Sequence, residues 1–171
     1  ARKKFLKAEQ TENGHIADAV WGIALGHPHI QFRFFVNGRL QKNFSQTDDL
    51  LARSVHILGP DTTGRLYALD RSGGQLRVHG YCSHPAITRA TSSRIFLFVN
   101  QRLVSDRGLI AAVFKGYRGR TMKGRYPLGV IFIEIGFDQV DVNVHPSKRE
   151  IKFFNAAPVY QAVTLAIEQA L

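Results

Sequence analysis

The sequence predicts an α/β (α+β) fold in which a mixed β-sheet is covered by helices on one face. Alternating and wholly apolar segments fill the middle of the chain, turn signals separate them, and helical spacing occurs at both ends. With 171 residues, 44% of them hydrophobic and 21% charged, the chain fits a single globular domain spanning 1–171.

The first third of the chain is predicted to form a helix, a hairpin and a second helix. Residues 12–25 have helical spacing, and the expected shared face consists of Ile16, Ala19, Val20 and Ile23. The alternating segment 30–36 leads into Asn-Gly at 37–38, the strongest short hairpin signal. A second helix is predicted from an N-cap at Thr47 to the Gly-Pro pair at 59–60.

The remaining chain is predicted to supply most of the sheet. A hairpin over 65–82 precedes IFLFVN at 95–100, which we expect to be a central strand buried on both faces because it is almost wholly apolar. A helix over 106–117, a glycine- and arginine-rich loop and the apolar strand 128–137 follow. A helix after Pro158 ends the chain.

The composition excludes several classes of protein. A single cysteine, Cys82, rules out a disulfide framework and a cysteine-based zinc site, and no metal site is predicted. No apolar run approaches the length of a membrane span, so no membrane association is expected. The charge-dense start at Ala1 indicates a piece cut from a longer protein.

The charge balance points to a polyanionic partner. The chain has 23 Lys and Arg against 13 Asp and Glu, a net charge of +10. Between Asp106 and Glu134 there is no acidic residue, and the same interval holds Arg107, Lys115, Arg118, Arg120, Lys123 and Arg125. Solvated faces usually mix signs, so we interpret this interval as a phosphate or nucleic-acid surface.

Local patterns that resemble catalytic motifs lack residues that the chemistry requires. GRTMKGRY at 119–126 has glycines at phosphate-loop spacing, but Arg-Tyr replaces Lys-Ser/Thr and a strand follows instead of a helix. His27 and His29 have no further ligand at metal-site spacing. No local motif makes the chain a self-sufficient enzyme.

The stretch VDVNVHPSKREIKFF, 140–154, places a lysine on a corner between two strands. Its alternation breaks at Pro146 and resumes at Ile151, with Lys148 in the turn. The ordinary interpretation of Lys148 is a solvated turn residue.

Three segments together resemble the MutL family of DNA mismatch-repair proteins. A signature of that family resembles VDVNVHPSKREIKF. The segment that follows the family's ATPase domain resembles ARKKFLKAEQTE, and a strand, turn and helix of the family resemble FVNQRLVSDRGLIAAV. The motifs follow the family's order over nearly the whole chain. Gln101 stands where the family usually has glycine, a departure that concerns only the local turn geometry.

The resemblance implies the transducer, the second domain of the family's N-terminal region, with a fold like ribosomal protein S5 domain 2. That fold carries a left-handed βαβ crossover, against the general right-handed rule. In the family, ATP and Mg²⁺ are held by a GHKL-type ATPase domain, here upstream of Ala1. We therefore expect this part alone to bind no nucleotide stably and the parent protein to be an ATP hydrolase.

By the same resemblance, Lys148 reaches the γ-phosphate of ATP held in the neighbouring domain. A lysine is a compact charge on a long stem, and Pro146 restricts the backbone that aims it. Asn143, His145 and Pro146 are expected to organise the corner.

The resemblance also implies sequence-independent DNA binding, with Arg102, Arg107, Lys115 and Arg118 as candidates to contact phosphates. The loop residues Arg120, Lys123 and Arg125 either join them or belong to a mobile surface loop. Expected partners are mismatch-recognition and other repair proteins and, in the full protein, a second copy of the chain, in the cytoplasm of a bacterium.

Two other functions fit parts of the sequence. An RNA-binding or ribosome-associated module of the S5-like fold explains the charge but gives Lys148 no role. The transducer of a topoisomerase-type ATPase is the other, and upstream and downstream sequence would separate these possibilities.

Overall fold

A computed structural model describes residues 9–141 and 150–171. The helices are α1 Glu9–Gly26, α2 Leu50–Leu58, α3 Arg107–Gly116 and α4 Ala156–Ala170. The first six strands are β1 Phe32–Val36, β2 Arg39–Phe44, β3 Leu66–Gly73, β4 Leu76–Ser83, β5 Thr88–Arg89 and β6 Ile95–Val99. The other five are β7 Arg102–Val104, β8 Tyr126–Pro127, β9 Gly129–Glu134, β10 Val140–Asp141 and β11 Lys152–Phe153.

The main sheet has five strands in the order β3-β4-β9-β6-β7. Strands β6 and β9 run parallel, and every other neighbouring pair in this sheet is antiparallel, so the predicted mixed sheet is confirmed. The connection from β6 to β9 passes through β7, α3 and β8. Its left-handed sense, which the family resemblance implies, stays a prediction.

Helices cover both faces of this sheet, which corrects the expectation of one covered face. Every residue of β6 is buried, as predicted for a central strand. Leu97 and Val99 join the core formed with α3 and α4, whereas Phe96 and Phe98 join the core formed with α1 and α2. Because successive strand residues point to opposite faces, a wholly apolar strand needs cover on both.

Helix α1 begins earlier than predicted and packs through a different face. Among its described side chains Trp21, Gly22, Ala24 and Leu25 are buried. Val20 of the predicted shared face also packs against this core, but Ile16 and Ile23 of that face are each 51% exposed. The apolar residues of this helix are spread around its circumference, so sequence spacing alone does not select a face. The rings of Phe34 and Phe44, packed edge-on against Trp21, select it.

Helix α2 is capped by Asp49 instead of the predicted Thr47. The Asp49 carboxylate accepts a hydrogen bond from the Leu51 N–H at 2.8 Å, and the Thr47 hydroxyl accepts one from the Asp49 N–H at 3.0 Å. Both side chains therefore organise the entry to the helix. Helix α4 begins at Ala156, so Pro158 lies within its first turn. The N–H groups of a first turn have no partner within the helix, so the lack of an N–H in proline costs no helical hydrogen bond there.

Arg53 on α2 is buried without a carboxylate partner among the described residues. Its guanidinium donates to four main-chain carbonyl oxygens at 2.7 to 3.1 Å, those of Ala24, Pro28, Ile30 and Ser45. It also lies over the rings of Phe32 and Phe44, at 6.0 and 5.7 Å from their centroids. Burial lowers the pKa of this guanidinium. Arg53 thus joins α1 and the β1–β2 hairpin to α2.

The β1–β2 and β6–β7 hairpins turn through the same backbone conformation, and their turn regions have the similar sequences FVNGRL and FVNQRL. Asn37 and Gly38 have φ of 50° and 76°, and Asn100 and Gln101 have φ of 47° and 66°. Two successive positive φ values are those of the type I′ turn, which matches the twist of paired strands. The hairpin geometry is therefore kept although Gln101 replaces glycine. No helix within the described ranges is long and apolar enough to cross a membrane.

Candidate functional site

The segment that contains Lys148 connects the two strands of a short antiparallel ribbon. Lys148 itself, with Asn143, His145 and Pro146, lies outside the described residues. The ribbon pairs Val140 with Phe153 and Asp141 with Lys152. Val140 and Phe153 are buried in the core with α3 and α4, and Asp141 and Lys152 are exposed. The alternation predicted on each side of the corner is confirmed for these residues, and the core fixes both ends of the corner.

Two exposed aromatic side chains flank this ribbon. Phe137, just before β10, is 85% exposed, and Phe154, just after β11, is 70% exposed. The Phe154 N–H donates to the Gln139 carbonyl oxygen at 3.1 Å, which holds the two flanks together. Phe137 and Phe154 are the two most exposed phenylalanines among the described residues.

A cleft of about 730 Å³ lies where β9 leads toward the ribbon. Its lining combines the turn at Asn100 and Gln101 with the carboxylates of Glu134 and Asp138. The Asn100 side chain exchanges two hydrogen bonds with the main chain of Ile135, both 2.9 Å long. Sequence reasoning identifies Asn100 only as a turn residue and misses this clamp. The turn and the approach to the corner are therefore one connected unit.

Helix α3 and the residues just after it carry three exposed basic side chains of the predicted set. Arg107 and Lys115 are exposed at its first turn and last turn, and Arg118 is exposed just beyond its end. Among the described residues these three side chains make no ion pair. A cation at a helix N-terminus is electrostatically unfavourable, so helix stability does not explain Arg107. Together with exposed Ala111, these residues form a stripe that we call the α3 surface.

The position of α3 depends on close packing against α4. Gly108, Ala112 and Gly116 recur at every fourth position, and the Thr164 hydroxyl donates to the Ala112 carbonyl oxygen at 3.1 Å. A Cβ on Gly116 would lie 2.7 Å from the Ile167 Cβ. Small residues on the inner side of α3 therefore fix the direction in which the α3 surface faces.

The structure distinguishes the other predicted basic residues from one another. Arg102 on β7 is half-buried and already engaged in an interaction. Arg120 and Lys123 are exposed in the loop after α3. The Arg125 guanidinium donates to the Thr88 hydroxyl at 3.1 Å and to the Thr88 carbonyl oxygen at 3.2 Å, so it fastens the end of that loop to β5.

The buried titratable groups of the described residues do not form a reactive centre. Burial raises the pKa of the Cys82 thiol to about 11, and burial likewise raises the pKa of Tyr117, whose hydroxyl donates to the Ser83 carbonyl oxygen. A thiol with so high a pKa is a poor nucleophile at neutral pH. Within the described ranges, no group of three His, Cys, Asp or Glu side chains is placed to hold a metal.

Comparisons with known proteins identify relatives over the whole chain. A family model described as the C-terminal domain of DNA mismatch repair protein matches residues 54–171. DNA mismatch repair protein MutL of Syntrophotalea carbinolica is 37% identical over 100% of this chain. The chain spans 27% of the length of that relative.

Solved structures share the fold. One described as the N-terminal domain of a DNA repair protein matches 98% of this chain and 56% of its own, with a TM-score of 0.77 and 21% identity. The Aquifex aeolicus MutL ATPase domain complexed with ADP matches 79% of this chain and 47% of its own, with a TM-score of 0.60 and 21% identity.

Proposed function

Because this chain belongs to the MutL family of DNA mismatch repair proteins, we propose that it is the transducer-type domain of an ATP-driven repair protein. In this role residues 1–171 lie between an upstream ATPase domain and a downstream dimerisation domain. The observation that carries the proposal is the β10–β11 ribbon, which anchors both ends of the Lys148 corner in the core. A loop whose two ends are fixed in the core is suited to transmit the nucleotide state of one domain to its neighbour.

Lys148 is proposed to contact the γ-phosphate of ATP held by the upstream domain. The exposed rings of Phe137 and Phe154 support this, since they supply apolar area for that domain beside the corner. Departure of the γ-phosphate would remove the Lys148 contact and release the domains to re-orient. Asn143, His145 and Pro146 would shape the corner.

ATP and Mg²⁺ belong to the upstream domain in this proposal. The parent protein is then an ATP hydrolase that this chain assists.

DNA is the proposed partner of the α3 surface. Arg107, Lys115 and Arg118 are exposed cations in an interval without acidic residues, and contacts of this kind bind phosphates independently of sequence. Arg120 and Lys123 extend the same surface. Arg102 and Arg125 are weaker candidates because both are already engaged.

Mismatch-recognition proteins, other repair proteins and a second copy of the full chain are the remaining proposed partners. Family membership disfavours the two other functions that fit parts of the sequence, since neither an RNA-binding S5-like module nor a topoisomerase transducer is a mismatch-repair protein. The named relative is bacterial, so we place the activity in the cytoplasm, where bacterial DNA lies.

The test is ATP hydrolysis by the full-length protein carrying Lys148→Ala. We expect kcat to fall at least about tenfold, the effect of about 1.4 kcal/mol, because the γ-phosphate loses a charge partner in the transition state. Lys152→Ala is the matched control, since Lys152 is an exposed lysine on β11. Unchanged turnover in Lys148→Ala, with folding and nucleotide binding intact, would refute the role of Lys148.

A further inference from the structure

A second interval without acidic residues lies near the start of the chain. Residues 19–47 contain no Asp or Glu, and the same interval holds Arg33, Arg39 and Lys42. All three basic residues are on the β1–β2 hairpin and are exposed. In the part of the chain that the structure describes, none of them makes an ion pair. The hairpin is therefore an uncompensated cationic ribbon.

The hairpin has one face toward the core and one toward solvent. Phe32, Phe34 and Phe44 pack into the core with α1 and α2. The alternating positions form the outer face, on which Arg33 pairs with Asn43 and Phe35 with Leu40. Phe35 is 53% exposed and Leu40 52% exposed. A cation and an exposed aromatic ring thus share one surface.

Arg39 adds a second cation at the turn end of the hairpin. It is the first residue of β2, directly after the Asn37-Gly38 turn, and it pairs with Val36. Because paired residues share a face and successive strand residues point to opposite faces, Arg39 lies on the face opposite to that of Leu40 and Phe35. Arg33 is therefore the cation that shares the outer face with Phe35, whereas Arg39 is an exposed cation of the other face.

A β-bulge produces the pairing of Phe35 with Leu40. The register shifts between Phe34 and Phe35, so Phe34 lies opposite Lys42 whereas Phe35 lies opposite Leu40. Gln41 is the residue that the register between β1 and β2 skips. Bulges re-aim side chains, and this one sets the ring of Phe35 beside an aliphatic neighbour on the outer face.

This ribbon is separate from the α3 surface. The hairpin packs on the core of α1 and α2, whereas α3 packs on the core of α4, and these two cores lie on opposite faces of the five-stranded sheet. A ligand strand on one surface therefore leaves the other surface accessible.

Protection of a free strand edge explains only part of this pattern. The hairpin forms a two-stranded sheet of its own, and cations on such edges discourage pairing with other chains. Protection of this kind would favour polar residues throughout the outer face. It gives no reason for the exposed Phe35 and Leu40.

We propose that the outer face of the β1–β2 hairpin binds single-stranded nucleic acid, with Phe35 stacked on a base and Arg33 on a neighbouring phosphate. Cationic side chains combined with an exposed aromatic ring are the pattern of sequence-tolerant single-strand binding. The aliphatic Leu40 supports the ring from the paired strand. This inference goes beyond the proposed transducer role and does not depend on Lys148.

The experiment measures binding of a fluorescein-labelled oligodeoxythymidylate by anisotropy over a range of salt concentrations. Phe35→Ala should weaken binding roughly five- to a hundredfold with an unchanged salt dependence, because stacking involves no counterion release. Arg33→Gln should instead lower the slope of log K against log salt by about 0.7 if this side chain neutralises one phosphate, whereas Arg39→Gln, on the other face, should leave the slope unchanged.

Matched controls separate this surface from others. Tyr67→Ala removes another exposed ring, and Arg65→Gln removes an exposed cation outside the interval, and neither should change binding of the oligonucleotide. Emission from Trp21, the single tryptophan, reports whether the hairpin is still packed, because Phe34 and Phe44 contact it.

The proposal is overturned if the folded Phe35→Ala and Arg33→Gln variants bind the oligonucleotide as the unmodified protein does. It is equally overturned if the same variants are impaired only in binding an acidic peptide such as polyglutamate, which would make the ribbon a protein-binding surface.

Discussion

The Asn100 side chain forms hydrogen bonds with both main-chain polar groups of Ile135. The Asn100 side-chain amide donates to the Ile135 carbonyl oxygen and its side-chain oxygen accepts from the Ile135 N–H, each at 2.9 Å. The Asn100 N–H also donates to the Ile133 carbonyl oxygen at 2.9 Å. One side chain therefore continues the β6–β9 pairing beyond the last residues of the two strands.

Replacing Asn100 by glycine should lower the free energy of unfolding by about 1–3 kcal/mol, the cost of leaving part-buried polar groups unpaired. Glycine tolerates the positive φ of this position, so the change separates the effect of the clamp from that of backbone strain. Urea unfolding at a constant m value measures the difference. An unaltered midpoint would mean that water replaces the side chain without cost.

The two I′ turns offer a reciprocal test of backbone strain. Gln101→Gly should raise the free energy of unfolding by about 0.5–1 kcal/mol, because a residue with a Cβ is strained at φ 66°. Gly38→Gln should lower it by a similar amount at the equivalent turn. Both shifts are read from urea midpoints, and shifts of the same sign would show that side-chain contacts outweigh the backbone strain.

The space around two helical glycines, Gly116 in α3 and Gly14 in α1, predicts opposite effects of their replacement by alanine. Gly116→Ala should cost about 1–3 kcal/mol, since its Cβ would lie 2.9 Å from the Thr164 carbonyl oxygen and closer still to Ile167. Gly14→Ala in α1 should instead stabilise by about 1 kcal/mol, because no atom lies within 4 Å of its Cβ position and alanine favours helix. Thermal unfolding of the two variants compares them, and a Gly116→Ala protein of unchanged stability would contradict the close approach of the helices.

The periodicity of apolar residues predicts where helices and strands lie better than it predicts how they pack. The apolar segment at 95–99 indicates a strand buried on both sides, and the structure confirms it. Helical spacing correctly predicts a helix near the start of the chain, but Ile16 and Ile23 face solvent because Phe34 and Phe44, distant in sequence, surround Trp21 instead. A contact made by residues far along the chain leaves no periodic signal.

The role of Arg53 shows the same limit for polar residues. An arginine in a short helix ordinarily faces solvent, and nothing in the local sequence indicates otherwise. Its partners are main-chain carbonyl oxygens, which every residue possesses. The basic surface of α3 could be predicted because the absence of acidic residues is visible in sequence, whereas the engagement of Arg125 by Thr88 depends on the pairing of β5 with β8.

Duplex DNA binding should separate the basic residues that are exposed and unengaged from Arg125, which is held by Thr88. Arg107→Gln and Lys115→Gln should each reduce the slope of log K against log salt by about 0.9 if each side chain neutralises one phosphate. Arg125→Gln should leave the slope unchanged and instead loosen the loop that its bonds to Thr88 fasten to β5. Anisotropy titrations with two duplexes of unrelated sequence measure the slopes, and equal effects on both duplexes are expected because phosphate contacts carry no sequence information. A reduced slope for Arg125→Gln with unchanged slopes for Arg107→Gln and Lys115→Gln would move the DNA contact from the α3 surface to the following loop.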